Sequence, residues 1–309
     1  MALKKSEEIK IGKHKISVSN PQKLIYPKPK ITKSSVIDYY VKIAPYMLPY
    51  LKNRPLSMQR FPDGISDQGF YQKDVGSYFP KWIKRFSVKK EEGGTVHHVI
   101  INDAASLVYI SSQLCLVFHI WLSKIKKINY PDRLIFDLDP SGKDFNQVQH
   151  AALKLKDLLE NLGLTPFVMT TGSRGLHVVV PLKATENFEY VRDFARDVAQ
   201  ILRDQDPTHL TLELRKNKRD GKIFIDYLRN GFGATSVSPY SLRARPGAPV
   251  ATPLEWREVE LKSLKPDQWN IKNIFSRLKK GDPWKNINKY VTSLKKARKK
   301  LDRIMEKNI

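Results

Sequence analysis

The chain has 309 residues, 41% of them hydrophobic, which is enough for one large domain or two intimate halves with a substantial core. Its 55 Lys and Arg against 31 Asp and Glu give a formal net charge of +24, which points to a polyanionic partner, nucleic acid first. No Arg-Ser or Arg-Gly tract is present, no apolar run approaches the roughly 20 residues of a membrane span, and the single cysteine, Cys115, excludes an internal disulfide or a cysteine zinc site.

Residues 1–33 form a basic N-terminal segment with Lys10, Lys13, Lys15 and Lys23, and they lack the apolar stretch of a secretory signal, so an intracellular, cytoplasmic protein is expected, nucleoid-associated and with no membrane. After Thr32 the spacing of Val36, Ile37, Tyr40, Val41 and Ala44 predicts a helix that Pro45 interrupts. Residues 95–101 are rich in branched side chains and predict a strand. Cys115 sits in the apolar stretch 114–118 and is expected to be a buried thiol. His119 follows it and reads by itself as a satisfied core histidine.

Residues 134–138 predict the most informative strand. Side chains alternate along it, so Asp137 and Asp139 project to one side while Phe136 and Leu138 anchor the other. Two neighbouring carboxylates repel unless a cation lies between them, and hard divalent ions prefer oxygen ligands, which points to a metal site. Asp-Pro followed by Ser-Gly also suits a solvated strand-to-turn corner.

A helix over 144–162 follows from Val148, Ala151, Ala152, Leu155, Leu158, Leu159 and Leu162, with Asp144 as cap and Gly163 as stop. Strands over 167–171 and 176–182 enclose Thr170-Thr171-Gly172-Ser173-Arg174-Gly175-Leu176-His177. That turn gathers amides, a hydroxyl, a guanidinium and an imidazole, which suits phosphate oxygens as well as it suits an ordinary hairpin. A helix over 187–203 is read from Phe188, Val191, Phe194, Ala195, Val198 and Leu202. Strands over 209–214 and 222–228 follow, the second placing Asp226 at its end. Beyond it stand Arg229 and Asn230, then Arg243 and Arg245, which would alternate in an extended segment and suit bidentate phosphate contacts. A basic amphipathic helix closes the chain over 285–309, its apolar stripe beginning near Ile287; docking on the core with solvated charges is the ordinary outcome for such a face.

Taken together, Phe136-Asp137-Leu138-Asp139-Pro140, Thr171-Gly172-Ser173-Arg174-Gly175-Leu176-His177, Ile225-Asp226-Tyr227-Leu228-Arg229-Asn230 and the run from Pro239 to Val250 resemble the polymerase domain of bacterial ligase D, of the archaeo-eukaryotic primase superfamily. Asn20 to Pro27, Asn53 to Leu56, Arg60 to Gly64 and Pro253 to Trp256 extend the likeness over nearly the whole chain, a single primase-polymerase domain over 1–309. The resemblance implies an α+β fold with a primase-type core, two packed β-sheets flanked by helices and a catalytic cleft between them. It implies template-directed nucleotide addition by two-metal chemistry with Mn2+ or Mg2+ and an NTP or dNTP, ribonucleotides preferred, in gap filling and end extension during non-homologous end joining. Asp137, Asp139 and Asp226 would be the metal triad. Ser173, Arg174, His177, Arg243 and Arg245 would hold the triphosphate, and His119 would lie near the sugar. Lys13, Lys23, Arg54, Phe70, Tyr71 and Lys73 would touch DNA, the two lysines at a 5′ phosphate. A Ku-type end-binding protein and a DNA ligase would be partners. Gln22 stands where the family often has Asp or Glu before the lysine, and the zinc cysteines of replicative primases are absent, which favours the repair branch.

Two other classes compete. A haloacid-dehalogenase-type phosphatase also ends an apolar strand in Asp-x-Asp, but near its N-terminus and with Thr or Val where this chain has Ser141. A non-catalytic nucleic-acid-binding module explains the charge but has no need of three strand-end acids that repel a polyanion.

Overall fold

The computed structural model describes residues 6–90, 92–142 and 144–307. The chain forms two compact units, one of Met1–Trp121, Thr235–Ala251 and Asn270–Ile274, the other of Leu122–Ala234, Thr252–Trp269 and Phe275–Ile309.

In the first unit a hairpin, β1 (Ser6–Ile11) and β2 (His14–Ser19), and a short pair, β3 (Leu24–Tyr26) and β4 (Ile31–Thr32), lead into helix α1 (Lys33–Leu51). An antiparallel sheet follows in the order β15-β9-β5-β6, from β5 (Leu56–Arg60), β6 (Phe70–Gln72), β9 (Cys115–Trp121) and β15 (Thr235–Val237). A hairpin of β7 (Lys84–Lys89) and β8 (Thr95–Ile100) and helix α2 (Ala104–Ser112) complete it. Thr32 caps α1, its hydroxyl accepting from Ser35 N. The helix runs on past Pro45, contrary to the sequence expectation. A proline inside a helix costs about 3 kcal/mol, but Met47, Tyr50 and Leu51 beyond it are buried, and each fully buried side chain of this size stabilises by about 1.5–3 kcal/mol. Cys115 is buried, as expected, and burial pushes its thiol pKa up.

The second unit is built on a six-stranded sheet in the order β13-β14-β10-β12-β11-β16, from β10 (Arg133–Pro140), β11 (Phe167–Thr170), β12 (Leu176–Pro181), β13 (Leu210–Thr211), β14 (Ile223–Asp226) and β16 (Thr252–Leu254). All pairings are antiparallel except β13 with β14. Helices α3 (Phe145–Asn161) and α4 (Phe188–Gln205) lay their apolar stripes on one face, where Phe136, Leu138, Val178 and Val180 point. Asp144 and Asn187 cap them, accepting from Asn146 N and Tyr190 N. The short helices α5 (Trp256–Val259) and α6 (Ile274–Leu278) precede the last helix, α7 (Lys295–Lys307). Sheets flanked by helices agree with the α+β expectation.

The strand read over 222–228 covers Ile223–Asp226 and gives way to a 3-10 turn over Leu228–Asn230, and two larger boundary differences have a visible cause. The strand expected over 209–214 ends at Thr211, because the Thr211 hydroxyl accepts from Glu213 N and the Glu213 carboxylate from Arg215 N, which turns the chain out of the sheet. The terminal helix starts at Lys295, with a 3-10 turn over Ile287–Tyr290, since Thr292 forms a parallel bridge to Leu182 at the end of β12 and residues 291–294 cannot then be helical. Residues 308 and 309 of that reading lie outside the described residues. Among the described residues no helix is long and apolar enough to cross a membrane.

Candidate active site

Register places the acids. In the second unit Asp137 on β10 stands directly opposite Asp226 on β14 and opposite His177 on β12, so the three side chains share one sheet face. Because Phe136 and Leu138 face the helices, alternation turns Asp137 and Asp139 to the other face. What keeps Asp226 in register is Asn230, which is fully buried. Beyond the last β14 pair its side-chain amide acts as a substitute strand, accepting from Ile135 N at 2.9 Å and donating to Ile135 O at 2.7 Å and Tyr227 O at 2.8 Å. Asn230→Ala leaves these buried backbone groups without partners at about 1–3 kcal/mol each, so a loss of about 2–4 kcal/mol in denaturant unfolding is expected.

The acids are each answered by a guanidinium. Arg229 Nε lies 3.1 Å from Asp226 Oδ2 and 3.5 Å from Asp137 Oδ2, bridging the pair. Arg174, at the hairpin tip, donates to Asp139 Oδ1 at 2.9 Å, and Arg219 donates to Asp139 Oδ2 at 3.2 Å while stacking 4.0 Å from the centroid of the Phe224 ring. Arg219 is itself fixed by the carbonyls of Glu213 and Leu214. Burial, and then the charge of Asp137, raise the Asp226 pKa above the ordinary aspartate value, with Arg229 pulling the other way.

The hairpin between β11 and β12 is closed by Thr171. Its backbone N–H and its hydroxyl both donate to Gly175 O, and the hydroxyl accepts from Gly175 N. Gly172 has φ of +65°, open to glycine at little cost. Gly175 is required for a different reason: a Cβ there would lie 2.1 Å from Leu138 O, so the hairpin backbone rests directly on the acid-bearing strand. Ser173 and Arg174 are half-buried at the tip. His177 is 3% exposed, with Nε2 3.5 Å from Asp137 Oδ1, and its Nδ1 has no hydrogen-bond partner among the described residues.

Three carboxylates on one face supply the hard oxygen donors that Mg2+ or Mn2+ takes. The guanidinium of Arg229 between Asp137 and Asp226 marks the place where that face calls for positive charge. Asp139 is engaged by Arg174 and Arg219, and among the described residues no three acid, histidine or cysteine side chains stand close enough to hold an ion as they are placed. The donor chemistry fits a divalent ion, and the guanidiniums supply the compensating charge in this arrangement.

In the first unit His119 lies on β9 opposite Ser57 and Val237, with the Tyr71 ring 5.5 Å away. Phe70 and Tyr71 are 45% and 59% exposed, and the Arg60 guanidinium sits 5.6 Å from the Phe70 ring. Lys73 is exposed, and so is Lys13, in the turn of the β1–β2 hairpin. Arg54 is only 3% exposed and donates to Trp121 O, inside the unit rather than on its surface. Lys23 pairs with Asp63 at 2.7 Å. Arg243 is half-buried and Arg245 exposed, and their segment is not extended as expected. Arg245 N bonds Arg243 O and Ala248 N bonds Arg245 O, which folds it into turns closed by a bridge between Leu242 and Val250.

Sequence reasoning passed over Arg219 and Lys33. Lys33 is 5% exposed with Nζ donating to Ser19 O, and burial, then the positive charges of Lys23 and Arg60, hold its ammonium below the ordinary lysine range. A lysine in the first turn of α1, against the helix dipole, is the signal that could have found it. Nothing in the local sequence flags Arg219, whose partner is 80 residues away.

Comparison with known proteins finds a family match for the chain. The family described as "LigD, primase-polymerase domain" matches residues 32–284. The chain is 34% identical over 260 residues to the "Multifunctional non-homologous end joining protein LigD" of Mycolicibacterium smegmatis, covering 82% of the chain and 34% of that protein. It is 32% identical over 268 residues to the "Bifunctional non-homologous end joining protein LigD" of Bacillus subtilis, covering 86% and 43%. The chain thus spans well under half the length of these curated relatives. A solved structure, "Polymerase Domain from Mycobacterium tuberculosis Ligase D in complex with DNA", superimposes with a TM-score of 0.83 at 30% identity, covering 89% of this chain and 99% of that one.

Proposed function

Because the chain belongs to the LigD primase-polymerase domain family, we propose that it is a nucleotidyltransferase that extends a primer 3′ end on a DNA template, in gap filling and end extension during non-homologous end joining. The observation that carries the reading is the row of Asp226 and Asp137 across β14 and β10, with Asp139 two residues on and a glycine-bounded hairpin resting on the same strand. The family match gives the phosphatase and the non-catalytic readings no support.

Asp137, Asp139 and Asp226 would hold Mn2+ or Mg2+, which when bound supplies activation of the primer hydroxyl and neutralises charge on an NTP or dNTP. The chain's own part is to place phosphate. Ser173 and Arg174 stand at the tip of a hairpin locked by Thr171 and Gly175, and the buried His177 offers Nδ1 as a hydrogen-bonding atom and backs Asp137 with Nε2. Arg243 and Arg245 would contact phosphate, and Phe70 and Tyr71 present exposed rings on which bases can stack. A Ku-type protein and a DNA ligase are the partners this reading implies. The test is primer extension on gapped DNA with Mn2+, wild type beside Asp137→Ala, with a phosphatase assay in parallel; phosphate release without extension would overturn the reading.

His119 would give ribonucleotides their preference by meeting the 2′ hydroxyl, which deoxyribonucleotides lack. Wild type should incorporate an NTP more efficiently than its dNTP, and His119→Ala should bring the ratio towards one. An unchanged ratio would remove His119 from sugar choice.

Lys13 and Lys23 would hold a 5′ phosphate at the gap, with the buried Lys33 adding positive charge in the same unit. A phosphate held there gains directed, charge-assisted hydrogen bonds from lysine ammonium groups, which general attraction does not supply. Removing the 5′ phosphate should therefore weaken wild-type binding several-fold at matched salt, and have little further effect in Lys13→Ala/Lys23→Ala. Equal binding of both ends by wild type would dispose of the pocket.

A further inference from the structure

Helix α7 carries two electrostatic conflicts of its own, both of positive charge. Its apolar side is spent on the core, where Ala297 and Leu301 are buried and Ile304 and Met305 pack against them. The opposite side exposes Lys295, Lys296, Lys299, Lys300 and Arg303. Two other cationic contacts are accounted for within the fold. Arg298 is paired with Asp197 at 2.7 Å and Asp302 at 2.6 Å, and Lys300 Nζ donates to Asn161 O at the C-terminal end of α3, where positive charge is favoured. Lys295, Lys299 and Arg303 have no ion pair among the described residues, and their i, i+4, i+8 spacing lines them up along one side. Like charges at that spacing destabilise a helix by about 0.2–0.5 kcal/mol per pair. Lys295 and Lys296 also occupy the first turn, which holds no acid and where the helix dipole disfavours cations.

A polyanion relieves both conflicts at once. We infer that the Lys295, Lys299 and Arg303 stripe docks the phosphate backbone of duplex DNA, without regard to sequence. This inference rests on the polymerase reading only in taking DNA as the protein's polymer. The stripe is about 12 Å long at 1.5 Å per residue, and the major groove of B-DNA is about 12 Å wide, so its ends can meet phosphates on the two rims. An anionic membrane is the poorer fit, since a surface-bound amphipathic helix buries its apolar side in lipid and that side of α7 is already in the core. The helices cover the sheet face on which Phe136 and Leu138 lie, opposite to the face bearing Asp137 and Asp139, so the stripe holds duplex away from the reacting end.

The test compares the whole chain with Lys295→Gln/Lys299→Gln/Arg303→Gln, and with a control of equal charge loss on exposed lysines of the same unit, Lys262→Gln/Lys265→Gln/Lys279→Gln. Glutamine keeps helix propensity, and unchanged melting confirms the fold. Binding to blunt duplex is titrated between 50 and 200 mM salt. The stripe variant should bind roughly ten-fold more weakly than the control at 100 mM, with a log–log salt slope shallower by about 2–3, at about 0.9 per phosphate contact. Extension at saturating primer-template should match wild type. Affinity and slope equal to the control's would overturn the inference, as would a loss confined to anionic phosphatidylserine vesicles. Failure of the polymerase reading shows separately, as absence of extension by wild type, and leaves the binding comparison standing.

Discussion

Asp226→Asn should stop primer extension and at the same time make the chain harder to melt. Loss of a charged oxygen donor from the acid row is expected to lower turnover by roughly three orders of magnitude or more, equivalent to about 4 kcal/mol of transition-state stabilisation. DNA binding should hold or tighten slightly, because a negative charge leaves a surface that meets phosphates. The stability gain has a separate cause. Burial and the neighbouring Asp137 raise the folded-state pKa of Asp226 above its unfolded value, even with Arg229 at 3.1 Å. The folded chain therefore binds the proton more tightly, and the margin this gives is full below the unfolded pKa and is lost as pH rises through the folded one. Asparagine is neutral throughout, so the melting difference between variant and wild type should be small in acid and grow towards neutral pH. Near wild-type extension by Asp226→Asn would remove this residue from the catalytic set, and a lower melting temperature at neutral pH would show that the Arg229 pair outweighs the repulsion.

Gly175→Ala should be the most damaging single methyl group in the second unit. Its Cβ would stand 2.1 Å from Leu138 O, backbone against backbone, with no flexible side chain to move aside. Relief requires the β11–β12 hairpin to lift from β10, which breaks the Thr171 bonds to Gly175 and shifts Arg174 from Asp139. Overpacking of this kind costs about 1–3 kcal/mol, or roughly 2–10 °C in melting temperature for a unit of this size. Extension should fall further than stability does, because the hairpin tip and the acid strand would separate. Gly142→Ala is the comparison: its Cβ would meet only Gly221 O, at an ordinary 3.6 Å, and should change little. Similar melting and activity for the two variants would show that the close approach at Gly175 has no consequence.

Much of this protein can be read from residue order alone. The alternation in Leu134 to Asp139 puts both acids on one face before any partner strand is known, and the α3 and α4 stripes found their core side as spaced. Pro45 reads as a stop because its local cost is visible, whereas the burial of Met47, Tyr50 and Leu51 that outweighs it depends on what the rest of the unit brings against them. The terminal helix is shorter than its apolar stripe for the same reason, since Thr292 is claimed by Leu182, more than a hundred residues earlier.

The residue types at the candidate site, and the chain's membership of a polymerase family, are therefore determined by sequence: short runs dictate which side chains share a strand face, and the net charge of +24 points to a polyanion. Only tertiary structure decides that Asp226 stands opposite Asp137, because strand register is set by pairing and by the Asn230 amide that closes it. It alone brings Arg219 to Asp139, buries Arg54 and sets the Lys33 ammonium on Ser19 O. Each of those is a meeting of residues distant in the chain, and no local pattern encodes a contact whose partner it does not contain.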